Sequence, residues 1–150
     1  MRPSMNTPSS RAASASACAG FAILLQLAAL RAVFSTDGKT AAILGHPLLF
    51  HCAVLARFGK PCPACGATRG FVFALHGRWT AAWHVFPAAP LAVAGLAAFA
   101  CALLVLAGMH ARGMSRAAAR WASGVRSASV AYATAAAFVW LGAWIAAIAG

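Results

Sequence analysis

Apolar residues in this 150-residue chain gather into long runs separated by short polar stretches. Ala88 to Gly108 and Ala128 to Ala149 contain no charged residue. At a rise of about 1.5 Å per residue, each covers the roughly 30 Å hydrocarbon core of a bilayer, which predicts two transmembrane helices. A third run, Ala17 to Phe34, holds Gln26 near its middle and Arg31 near its end, where a long side chain can snorkel to the interface. It exceeds the about 7–15 apolar residues of a secretory leader, so a retained span is expected. Residues 1–16 are mostly Pro, Ser, Ala and Arg without periodicity, and read as a disordered tail.

The stretch 41–86 breaks this pattern. Ala41 to Phe58 is apolar but interrupted by His46-Pro47, His51 and Cys52. Non-helical backbone at membrane depth must be buried in protein or face a water-filled cavity, so the segment is expected at the interface. Phe71, Leu75, Trp79, Trp83 and Phe86 then recur at helical spacing as an apolar stripe facing lipid or core. Gly77 is expected to split that stripe into two short helices. Pro87 and Pro90 open the next span, where a missing N–H is least disruptive. The fold class that follows is all-α: a small multi-pass membrane protein with about three transmembrane helices and an interfacial helical region. Residues 17–150 form one membrane domain with spans at about 17–34, 88–108 and 128–149, and the interfacial region at about 41–86.

Composition strengthens that expectation. The chain is 63% hydrophobic with mean hydropathy +0.80, and 9% of its residues are charged. Soluble domains average about 25% charged residues, so there is too little polar surface to coat a water-soluble globule. Twelve Lys and Arg face one acid, Asp37, giving a net charge of +11. The cations are scattered singly between apolar runs and form no basic face, which argues against a nucleic-acid partner. The bilayer and its anionic headgroups are the expected partners, with a second copy or another membrane protein beside them.

Arg112, Arg116 and Arg120 fall at i, i+4 and i+8 with Trp121 alongside. This reads either as a short surface helix on anionic headgroups or as a charged loop over 109–127. In a three-span topology the Lys and Arg count ties between the two sides. The compact 109–127 loop carries four arginines, so the positive-inside rule places it in the cytoplasm and the 35–86 region outside.

Of five cysteines, Cys18 and Cys101 lie in apolar runs and are expected to be packing residues. Cys52, Cys62 and Cys65 cluster near Pro, Gly and basic residues. The spacing of Cys62 and Cys65 lets two sulfurs face one metal ion or close a small disulfide ring. Gly66 leaves backbone N–H groups accessible, and Thr68 and Arg69 open a predicted helix. A thiol near a helix start and a cation tends towards the thiolate, which is both nucleophile and ligand. A tetrahedral zinc site needs a fourth ligand beyond the three cysteines, and His51, His76 or His84 could supply it. His76, Thr80 and His84 share a face only if one helix runs through Gly77. Haem attachment is excluded, because Gly66 stands where that motif needs His.

Cys52, nine intervening residues, the run C-P-A-C-G-A-T-R, an apolar helix, His76-Gly77 and Pro87 together resemble the bacterial membrane proteins grouped as domain of unknown function 2752. The resemblance covers about residues 46–92 and implies a protein of the bacterial plasma (inner) membrane with a motif-bearing loop. It implies no reaction. One departure stands out: the family's Asn before Pro is Phe86 here.

Three functions remain open on these residues. The first is an integral membrane protein whose cysteines form a structural site, disulfide or metal, at the membrane surface. The second is a membrane thiol–disulfide protein using Cys62 and Cys65, with Cys52 as resolving partner. The third is metal binding or a transport-related role through Cys52, Cys62, Cys65 and His76, with zinc as the fitting ion. A single acid leaves no carboxylate pair for acid–base work, and no Ser-His-Asp arrangement is visible, which weighs against an enzyme.

Overall fold

Alanine has the highest helix propensity of the residues, and this chain is built largely from it. The computed structural model describes residues 8–36, 41–47, 56–57 and 66–149. Over these residues the protein is nearly all-α, as expected. Helix α1 is Pro8–Val33, α2 is Ala67–Leu75, α3 is Trp79–Val85, α4 is Ala88–Ala111 and α5 is Ser115–Ala149. Arg11–Val33, Ala88–Ala111 and Ser115–Ala149 are each long and apolar enough to cross a membrane.

Two helix starts correct the expected boundaries. Residues 8–16, assigned to a disordered tail, form the first turns of α1. The Ser14 hydroxyl donates to the Arg11 carbonyl at 2.9 Å and that of Ser16 to Ala12 at 2.9 Å, so the serines are satisfied within the helix. The expected 109–127 loop is instead a tight turn after Ala111, and α5 already begins at Ser115. Gly113 makes the turn in the left-handed region (φ 72°). Arg116, Arg120 and Arg126 therefore lie on the opening turns of the same helix that carries the apolar run 128–149.

A small antiparallel sheet was not expected. Strand β1 (Phe34–Thr36) pairs with β2 (Ala41–Ile43), and β2 pairs with β3 (His46–Pro47). Leu44 and Gly45 both have positive φ (49° and 84°), the geometry of the two-residue hairpin turn that matches strand twist.

The chain divides into two compact units. The first joins residues 8–26 of α1, 95–111 of α4 and the turns of α5 up to Tyr132. Its buried side chains are Ala100, Ala107 and Ala118, with Gly20 buried beside them. A Cβ on Gly20 would stand 3.0 Å from the Ala100 carbonyl oxygen, so α1 and α4 approach backbone to backbone. A Cβ on Gly95 would meet the Tyr132 ring at 2.5 Å, which ties α4 to α5. Trp121 Nε1 donates to the Ala102 carbonyl at 3.3 Å and ties them again. Small residues at helix contacts are what apolar solvent favours, since packing must replace the hydrophobic drive.

The second unit comprises the described residues between 27 and 94 together with 133–149. In it α2 packs on α3 and against β1 and β2. Its core is Phe73, Ala74 and Ala82, with Ala81, Val85 and Val93 around them. The aromatic stripe lies on the outer side: Phe71, Trp79 and Trp83 are exposed, so it faces lipid or solvent and not the core. Cys18 and Cys101 are likewise exposed on their helices, not packed inside as expected.

Candidate functional site

The residues after the second motif cysteine are held by two glycines one helical turn apart. Gly66 precedes α2 in the left-handed region (φ 80°, ψ −2°), and its carbonyl accepts the Gly70 N–H at 2.8 Å. A Cβ at Gly66 would lie 2.9 Å from Val85 Cγ1 and 3.1 Å from the Val85 carbonyl oxygen. A Cβ at Gly70 would lie 2.7 Å from Phe86 Cβ and 3.3 Å from Ala89 Cβ. Both glycines thus form a seam that seats the start of α2 against the α3–α4 junction. Gly66 satisfies backbone conformation and close approach together, and no other residue meets both.

Phe86 occupies the position where the resembled family has Asn. It is extended (φ −157°, ψ 94°), as a residue before proline must be. Its ring packs tilted on Phe71, with centroids 6.3 Å apart. Phe86 thus makes an apolar contact beside the seam, and this chain has no polar side chain at that position.

Thr68 and Arg69 sit on the first turn of α2 and are half-buried, and Arg69 Nε is enclosed by protein. At the other end, Gly77 (φ 75°) terminates α2: its N–H donates to Ala74 at 3.0 Å and that of Arg78 to Phe73 at 2.9 Å. This is the Schellman pattern, and it splits the two helices where the sequence places the break. Arg78 then lies over the Phe73 ring at 4.9 Å, a cation–π contact. Arg31 Nη1 donates to the Leu75 carbonyl at 3.5 Å, a long contact that sets a cation at the helix C-terminus.

His76 is the C-cap of α2, and its Nδ1 lies 2.9 Å from the Val72 carbonyl. A carbonyl only accepts, so Nδ1 is the donor in this contact and Nε2 is the ring nitrogen left for another partner. Zinc-ligating histidines are commonly oriented in this way. The shared face of His76, Thr80 and His84 does not form, because the helix does not continue through Gly77. Among the described residues no three His, Cys, Asp or Glu gather closely enough to hold a metal ion. Cys52, Cys62, Cys65 and His51 lie outside the described residues.

The sequence marks Gly66, Thr68, Arg69 and His76 as candidates by residue type and motif. It does not single out Gly70 and Val85, although two glycines at i, i+4 are a signal of close helix approach.

Residues 52–100 match a family model described as a protein of unknown function, DUF2752. The match runs from Cys52 through α2 and α3 into α4, about a third of the chain, and it is the family that the C-P-A-C-G-A-T-R run resembles. No curated protein and no solved structure matches the chain.

Proposed function

We propose that this chain is an integral membrane protein in which Cys52, Cys62 and Cys65 form a structural sulfur site at the membrane surface, closed by a disulfide or a metal ion. The observation that carries this reading is the Gly66–Gly70 seam. It begins one residue after Cys65 in the sequence and fixes the following helix against Val85, Phe86 and Ala89. A covalent or metal clamp next to such an anchor would order the segment leading into α2. A disulfide is favoured as the form of that clamp by the extracytoplasmic placement of the site. The position of His76 favours it too, since that residue caps the far end of α2, nine helical residues or about 14 Å from Gly66 at about 1.5 Å per residue. The alternative closure is zinc with three thiolates and one imidazole, a common structural set.

The site is assigned to the extracytoplasmic face of a bacterial inner membrane, with Arg112, Arg116, Arg120 and Arg126 on the cytoplasmic side against anionic headgroups. In an oxidising compartment a disulfide persists, whereas reduced thiols suit a metal, so sidedness and chemistry are tested together.

The experiment is labelling of intact cells with a membrane-impermeant maleimide, using a chain with Cys18 and Cys101 changed to Ala. Two of the three remaining thiols labelling only after a reductant, with the third labelled at once, identifies a disulfide. Labelling of all three that needs a chelator, together with about one zinc per chain in the purified protein, identifies a metal site. Immediate labelling of all three with neither would overturn a closed structural site and favour a reduced redox pair at Cys62 and Cys65. Labelling only after permeabilisation would overturn the orientation.

A further inference from the structure

Arg126 occupies an unusual position. On α5 it falls between the two tie points Trp121–Ala102 and Gly95–Tyr132, which places it alongside Phe99 of α4. From Phe99 to Met109 the facing helix α4 carries no charged residue. A guanidinium beside such a stretch needs an anionic or hydrated partner, even when its side chain snorkels towards the turn.

Arg126 also lines a groove of about 260 Å³ between α4 and α5. The rest of that lining is largely apolar, including Phe99, Leu103, Leu106, Trp121 and Val125, and it holds no acid. The one acid of the whole chain, Asp37, is not part of it. Arg126 is exposed, and Ser129, which also lines the groove, spends its hydroxyl on the Arg126 carbonyl at 2.9 Å. Charge complementarity therefore calls for an anion, and the apolar walls call for a hydrocarbon chain joined to it.

We infer that this groove binds an anionic phospholipid, with the phosphate on the Arg126 guanidinium and an acyl chain against Phe99, Leu103 and Val125. The site rests on the membrane reading alone and is independent of the cysteines. Trp121, held by its bond to Ala102, forms a fixed wall. Arginine suits the task because its planar fork meets two phosphate oxygens at once.

The test uses the full chain in detergent, titrated with phosphatidylglycerol or phosphatidylcholine and read by native mass spectrometry. One phosphatidylglycerol should be retained with about tenfold preference, the scale of one charge-assisted contact. Arg126→Gln should abolish that preference. Arg112→Gln, which removes the same charge at the turn, should leave it within about twofold, as expected of an exposed charge. Ala122→Phe, which fills the groove and keeps the charge, should also abolish it, and Arg126→Lys should retain part of it. Equal retention of the two lipids, equal loss in Arg126→Gln and Arg112→Gln, or no loss in Ala122→Phe would each overturn the site. So would a stable dimer that only Arg126→Gln dissociates, because a second copy would then be the occupant.

Discussion

The two compact units of this protein are held together by different means. Around α2 and α3 the interior contains Val72 and Phe73, each nearly fully buried, as in a soluble core. In the unit of α1, α4 and the first half of α5, no buried side chain among the described residues is larger than alanine. Its large apolar residues, among them Phe21, Leu25, Leu96 and Phe99, point outwards. A segment meeting water gains by hiding its largest apolar groups. A helix in lipid gains nothing by doing so, and packs through whatever lets backbones come close. The contrast separates a region with a soluble-type core from one packed through small residues within a single short chain.

Substitutions can break this comparison, and their expected effects fall in order. Phe73→Ala should be the most damaging, at about 3–5 kcal/mol, because it opens a cavity and removes the ring under Arg78. Unfolding in mixed detergent followed by helical circular dichroism measures it. A loss below about 1 kcal/mol would show that the α2–α3 core is not a soluble-type core. Gly70→Ala should follow at about 1–3 kcal/mol, since the new Cβ meets Phe86 Cβ and Ala89 Cβ, neither of which can rotate away. Gly95→Ala also creates a short contact, but with the ring of the exposed Tyr132 and not with backbone or Cβ atoms. Its loss should stay within about 1 kcal/mol, and a larger one would show that Tyr132 is locked. Arg78→Gln should be smallest, at about 0.5–1 kcal/mol, the worth of an exposed cation–π contact. High salt should reduce that last difference and leave the glycine effects unchanged.

Much of the fold is legible in the sequence, for identifiable reasons. Ala88–Gly108 announces a span because length and absence of charge suffice, whatever surrounds the helix. Gly77 announces a break because one left-handed residue stops a helix locally. The sheet 34–47 escaped because strands of two or three residues carry no periodicity, and Leu44-Gly45 lacks the Asn-Gly signature of its turn. The start of α5 escaped because arginines at i, i+4 fit a loop, a surface helix and a continuous helix equally well. At the site, Gly66 and His76 were legible as residue types. Their partners Val85 and Val72 were not, since neither close approach nor a ring-nitrogen contact leaves a composition signal.

The opening feature of the sequence, long uncharged runs with a cysteine motif between them, determined by itself the helical class, three candidate spans and the residues worth testing. Composition and hydropathy suffice there because the solvent acts on each segment separately. Only the tertiary structure decided that Gly66 and Gly70 form one seam, that Phe86 closes it, and that Arg126 stands beside Phe99 in an apolar groove. Those facts depend on which backbones meet and at what register, and a pairing between distant segments is a property of neither one alone.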